Sequence, residues 1–172
     1  MLGSLRPLLF PSRPEDPPQR AGFGDGVELV VPGGGAAVER VGGRLYLALS
    51  LRNVGTGIAV LHGGRIYPGR RTARVDPAAL DEFRLLTRDL YIPPGDLGFW
   101  QTAFRDPAEP ALAEALPALR EGVLTVDLLY GDYEGGQRVV SRFGVLREGD
   151  GGWRLTGVRH WQLDRADPRV AR

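Results

Sequence analysis

Two residue types are missing from this chain of 172 residues: cysteine and lysine. Without cysteine there is no disulfide, no thiol nucleophile and no thiolate zinc site. Without lysine there is no Schiff-base chemistry and no P-loop, whose lysine reaches the nucleotide phosphates. All 22 basic side chains are arginine. Histidine is scarce, and His62 and His160 show neither H-x-x-x-H nor H-E-x-x-H spacing. Long apolar runs are lacking too. The one near the start, Leu8 to Phe10, is cut by Pro7 and Pro11 far below the length of a signal peptide or a membrane span. As written, the chain therefore reads as cytoplasmic.

A chain of this length fits one domain, which buries roughly 68–70% of its unfolded surface and needs no metal or disulfide staple. The formal net charge of +1 is too small for a field that steers polyanions. The charge is nonetheless unevenly placed. Arg40 to Arg74 holds seven arginines and no acid, whereas Asp76 to Glu134 holds twelve acids and four arginines. Residues 1–24 read as a mobile proline-rich tail, since Pro7, Pro11, Pro14, Pro17 and Pro18 oppose helix and sheet. Leu8, Leu9 and Phe10 are the residues that could tack it down. Residues 25–172 read as a single domain.

Within that domain the dominant signal has period two. "RLYLALSLRN" sets Leu45, Leu47, Leu49 and Leu51 on one face and Arg44, Tyr46, Ala48, Ser50 and Arg52 on a polar one. Residues 77–88 are ambiguous between helix and strand. The shared face of Leu86, Leu90 and Ile92, ahead of the Pro93-Pro94-Gly95 turn, favours a strand from about 83 to 92, followed by another through "LGFWQTAF". One helix is expected, over roughly 109 to 121 and ending at Gly122, with Pro117 kinking it or ending it early; it would bridge two sheets. The last fifty residues read as a meander of three strands. Its first turn, at Glu134-Gly135, pairs Leu128 with Ser141, Val126 with Phe143 and Leu124 with Val145, and sets Asp127 opposite Arg142 as a surface ion pair. On the last strand Trp153, Leu155, Trp161 and Leu163 share one face, and Arg159 falls among them. That arginine could pair with a buried acid, stack on an indole or mark a bulge.

"LRNVGTGIAVLHGG" has the glycine density of a phosphate loop but not its spacing. The third place of G-x-G-x-x-G is Val60, and no helix follows. A strand corner explains it better, with Asn53, Gly55 and Gly57 accepting the positive φ of a sharp reversal. "NVGTGIA", with "YIPPG" and the terminal meander downstream, resembles the β-sandwich domains of uncharacterised bacterial proteins, many of them membrane-anchored. Over residues 27–163 the likeness implies an immunoglobulin-like antiparallel β-sandwich of about 7–9 strands with one short helix. It carries no activity and no catalytic residue. It also implies membrane association if an N-terminal anchor is missing from this start.

Other candidate sites are weak. The acidic hairpin tips, Asp132 with Glu134 and Glu148 with Asp150, lie at opposite ends of the sheet, roughly 25–30 Å apart, and each is short of the oxygens calcium takes. Ser141 is not in a G-x-S-x-G elbow. No catalytic residue, metal site, cofactor or small-molecule ligand is identifiable. What remains is "HGGRIYPGRRTAR", read as a loop presenting Arg65, Tyr67, Arg70, Arg71 and Arg74. Such a loop suits an acidic protein partner, self-association through the acid-rich segment, or an acidic lipid surface. Near-zero net charge argues against nucleic acid. Solvated charge balanced within the fold competes with all of these. The expected function is thus a non-catalytic interaction module, the alternative being a small hydrolase whose site is assembled only in the fold.

Overall fold

The structure, a computed structural model, describes residues 5–169. Residues 1–4 of the expected tail and 170–172 of the expected domain lie outside the described residues. Eleven strands are present: β1 (Leu9–Pro11), β2 (Gln19–Gly22), β3 (Glu28–Val31), β4 (Gly35–Val41), β5 (Arg44–Asn53), β6 (Ala59–Pro68), β7 (Arg84–Ile92), β8 (Leu97–Phe104), β9 (Val123–Gly131), β10 (Val139–Arg147) and β11 (Trp153–Gln162). One helix, α1 (Pro110–Glu121), precedes β9, and a 3-10 turn (Leu80–Glu82) precedes β7. The ambiguous segment, residues 77–88, divides: its first half carries the 3-10 turn and its second half is strand, as favoured, while the helix stands where the sequence put it. Gly122 closes the helix in the left-handed conformation. Pro117 is accommodated inside the helix and does not end it.

The chain is all-β, but its pairing differs from that of two facing sheets. One antiparallel sheet runs β1-β5-β4-β11-β10-β9-β6-β7, with β8 on the other edge of β5. It curls round a single core, into which Leu45, Leu47, Leu49, Leu51, Trp100, Val126, Leu128 and Phe143 project. The helix bridges no pair of sheets. It packs on β6 and β9 and adds Leu112, Ala115, Ala118 and Leu119 to that same core.

The ribbon β2–β3 forms a separate two-stranded sheet, and it corrects the reading of β5. Tyr46, Ala48 and Ser50 are fully buried and not on a solvated face, because the ribbon's Ala21, Leu29 and Val31 pack over them. Ser50 Oγ lies 2.6 Å from Ser12 Oγ, and the Tyr46 hydroxyl donates to Asp25 at 2.6 Å. Strand β5 is thus sandwiched between core and ribbon, a burial that alternation alone does not reveal.

Nor is the proline-rich segment a loose tail between residues 9 and 22. Its prolines fall at the end of β1 and in the link to β2, where no ladder N–H is needed. Asp16 pairs with Arg52 at 2.7 Å, and the Leu9 N–H donates to the Tyr130 hydroxyl at 2.9 Å. This segment also explains the glycine corner. Gly55 and Gly57 do not have positive φ. They are glycine because the N-terminal main chain lies directly on them. A Cβ on Gly55 would sit 2.2 Å from the Arg6 carbonyl oxygen, and one on Gly57 would sit 3.0 Å from Leu5 C. The N–H groups of Thr56 and Gly57 both donate to that Arg6 carbonyl, at 2.9 and 3.2 Å.

The meander matches the expected register: Leu128 faces Ser141, Val126 faces Phe143 and Asp127 faces Arg142. On β11 the register shifts between Arg142 and Phe143 and leaves Val158 without a partner. That bulge changes which side chains share a face. Trp153 and Leu155 enter the core, whereas Trp161 joins Phe83, Leu129, Val140 and Leu163 on the outer side. The four residues expected on one face are split two and two.

If Gly55 is needed for contact with the N-terminal segment, Gly55→Ala will destabilise the protein by about 1–3 kcal/mol, an overpacking cost. In a chain starting at Leu9 the same substitution will cost far less. Urea unfolding of the four proteins measures the coupling, and equal costs in both backgrounds would assign the glycine some other role.

Candidate functional site

Strands β6, β9, β10 and β11 lie side by side, and their registers place Arg65, Asp127, Arg142 and Arg159 in one row on the outer face. Three guanidiniums thus share a single carboxylate in that row. Asp127 is taken by Arg142 through two parallel bonds, Nε to Oδ1 and Nη2 to Oδ2, each 2.8 Å. Both side chains are 0% exposed. The pair expected at the surface is therefore buried, and the cover is the loop that follows β6.

That loop is held from below. Arg142 Nη1 donates to the carbonyls of Thr72 and Val75 at 2.7 and 2.6 Å, and Arg159 Nη1 donates to Ala73 O at 2.6 Å. The Arg71 N–H donates to Thr125 Oγ1, whose hydroxyl donates to Gly69 O. Arg159 combines the bulge and the indole with an ion pair, although its acid is partly exposed and not buried. It follows the bulge, lies 5.2 Å from the Trp161 ring and pairs with Asp167 at 3.2 Å. The Asp167 carboxyl is held down at about 2, chiefly by its hydrogen bonds with Arg169.

The residues singled out from the sequence fall into two groups. Arg65 and Tyr67 belong to β6 and not to a loop. Tyr67 is buried in the outer face, with the Arg71 guanidinium 4.0 Å and that of Arg65 5.0 Å from its ring. Arg70, Arg71 and Arg74 are in the loop, as expected. Their side chains make no ion pair among the described residues, and Arg70 and Arg74 point to solvent. The Tyr67 hydroxyl and the Nε atoms of Arg65 and Arg71 are buried without a hydrogen-bond partner. Among the described residues the one ion pair of these five is that of Arg65 with Glu82, at 3.9 Å. The platform is thus cationic and under-satisfied, suited to carboxylate or other oxyanion groups. Sequence reasoning missed the supports, Arg142, Arg159 and Trp161, although the Asp127–Arg142 pairing was readable.

A serine and a histidine do meet in the fold. Ser141 Oγ lies 2.6 Å from His160 Nδ1 and 2.7 Å from the Tyr130 hydroxyl, which accepts from Leu9 N–H. Ser141 is 0% exposed, and the third member is a phenol where a nucleophilic triad has a carboxylate. Burial raises the Tyr130 hydroxyl to about 12, so it stays protonated. With His160 neutral and its proton on Nε2, each group donates onward: Leu9 to Tyr130, Tyr130 to Ser141, Ser141 to Nδ1. The arrangement serves to hold β1. Burial, with Arg169 nearby, pushes His160 down to about 4, and its ring stacks on Phe10 at 5.0 Å.

The acidic tips cap their own turns. Asp132 Oδ1 accepts from the N–H groups of Glu134 and Gly136, and Asp150 Oδ1 from that of Gly152. No group of three or more metal-ligating side chains occurs among the described residues, and none of their helices is long and apolar enough to cross a membrane. No family model matches the chain, and no curated protein or solved structure matches it either.

Two predictions follow from the buried groups. Asp127→Asn leaves Arg142 an uncompensated buried charge and will cost about 3–5 kcal/mol in urea unfolding, whereas Asp127→Leu with Arg142→Met will cost less than the single change. A loss below about 1 kcal/mol would mean the pair is solvated. His160 binds a proton more weakly folded than unfolded, so stability is complete above pH 6.5 and falls as pH drops towards 4, by about 3 kcal/mol in all. His160→Asn should flatten that slope in thermal melts. An unchanged slope would place the acid sensitivity elsewhere.

Proposed function

We propose that this chain is a non-catalytic interaction module, related to the immunoglobulin-like bacterial domains that its Asn53–Ala59 stretch resembles, and that it docks an acidic protein segment on the loop carrying Arg70, Arg71 and Arg74. One observation carries the reading. These arginines have no carboxylate partner, yet the main chain beneath them is pinned by Arg142, Arg159 and Thr125. The same contacts that cover the buried pair hold the loop's backbone in one course, so its exposed arginines are presented from a fixed frame. Rigid presentation matters because a partner's carboxylates then meet donors already in place, and less side-chain and loop freedom is lost on binding.

Arg71 stacks on Tyr67, so the cleanest variants spare it at first: Arg70→Ser with Arg74→Ser, then all three replaced. At about 0.5 kcal/mol for each exposed ion pair, the double variant should bind roughly fivefold more weakly with the same melting curve, and the triple variant roughly tenfold more weakly. The measurement is capture from native lysate, membranes included, by wild-type and variant chains at two salt concentrations, alongside sedimentation with acidic and neutral vesicles. A salt-sensitive protein partner lost in the variant is the expected result. Binding to acidic vesicles alone would replace the protein partner with a lipid surface, and equal capture by both chains would remove the loop from the function.

A further inference from the structure

Helix α1 leaves one stripe unburied. Leu112, Ala115, Ala118 and Leu119 face the core, whereas Ala113, Leu116, Pro117 and Arg120, at spacings of three, one and three, line a groove. The opposite wall is the far end of the curled sheet. There β4 runs past the core with Val38 and Arg40, and Trp153 closes the floor. The groove holds about 840 Å³, within the range of sites that enclose small organic ligands.

Its lining is divided chemically. Val38, Leu116, Pro117 and Trp153 supply apolar surface, and Pro117 has no N–H to present. Arg40, Arg120 and Arg147 supply positive charge, and no carboxylate lines the space. Arg147 is already engaged: it donates to the carbonyls of Leu119 and Arg120 and stacks 4.9 Å from the Trp153 ring, which offsets the negative end of the helix. The side chains of Arg40 and Arg120 are exposed and make no hydrogen bond or ion pair among the described residues. An open, mixed trough with apolar surface on one side and two unpaired guanidiniums on its rim is complementary to a molecule with an apolar body and one anionic end.

We propose that this groove binds a small amphiphile bearing a single anionic head, with a medium-chain alkyl carboxylate as the representative ligand. The chain lies along Leu116, Pro117, Val38 and Trp153, and the carboxylate meets Arg40 and Arg120. The site is separate from the arginine loop, so it stands or falls independently of the docking function proposed above.

Dodecanoate, kept below its micelle concentration, is the probe. Titration calorimetry gives stoichiometry, and tryptophan fluorescence, with Trp153→Phe as the control, reports whether the floor of the groove is covered. One molecule should bind per chain. Acetate, which has no tail, and dodecyltrimethylammonium, which has the wrong charge, should bind at least about tenfold more weakly, as should dodecanoate to the Arg40→Ser, Arg120→Ser variant. Ala113→Phe projects a ring from an exposed helix position into the groove and should abolish binding with the circular dichroism spectrum unchanged. The triple loop variant should bind like wild type. Failure of dodecanoate to bind would overturn the proposal. So would equal binding of the cationic amphiphile, indifference to Ala113→Phe, or loss of binding in the loop variant.

Discussion

The outer half of this structure rests on one buried ion pair. Arg142 commits four of its five N–H groups at once, two to Asp127 and two to the carbonyls of Thr72 and Val75. It therefore joins two neighbouring strands and the loop above them. Neither charge would remain buried without the other, because an isolated ion in that position costs several kcal/mol in lost hydration. The loop supplies the cover that excludes water, and the pair supplies the donors that shape the loop. The 4.8 Å approach of Arg142 to the Trp161 ring closes the remaining side. Each part is unfavourable alone, which is why the segment from Gly69 to Val75 has a defined course despite lacking regular structure.

A second fastening, on the other side of the sheet, secures the start of the chain. There the hydrogen bonds are neutral and run in one direction, from Leu9 through Tyr130 and Ser141 to His160. That direction goes with the tautomer of neutral His160 that carries its proton on Nε2 and so accepts at Nδ1. Two small residues complete the fit, since Gly55 and Gly57 allow the Leu5–Arg6 backbone to touch the corner after β5. The same serine–histidine contact that could suggest a nucleophile is here a closed circuit, with no face of Ser141 open to a substrate.

How much of this was legible depended on how local the cause was. The β9–β10 register, the helix from Pro110 and the strand ending at Ile92 each follow from turn residues and nearby periodicity, and each stands as expected. What escaped involved a third element. Tyr46 and Ser50 read as solvated because nothing in β5 reveals the ribbon that covers them. The Asp127–Arg142 pair was legible as a pair but not as buried, since its cover arrives from residues more than fifty positions earlier. A bulge was only one of three readings of Arg159 in "WRLTGVRHWQL", and its effect of moving Trp161 to the opposite face was not read. The reason for Gly55 was misassigned for the same cause. Positive φ is a local explanation, whereas the actual one is the backbone of Arg6 to Leu8, far away in sequence, lying against it.

The absence of lysine also bears on where function can lie. An ammonium is a compact, strongly hydrated point charge; a guanidinium can form a fork to a carboxylate, cap carbonyls and lie on a ring at the same time. This chain uses that versatility as framework. Arg142 does all three, Arg147 caps the helix and stacks on Trp153, and Arg84 joins Glu109 and Thr102 over the Phe104 ring. Arginine density along the sequence is therefore a poor guide to a binding surface, because much of it is internal strutting. The informative arginines are those whose forks are left empty. Arg70 and Arg74 above the buried pair, and Arg40 and Arg120 at the mouth of the groove, are exposed and make no ion pair among the described residues. Where the fold fixes the backbone of a cation and gives its charge no partner, an external anion is the complement that remains.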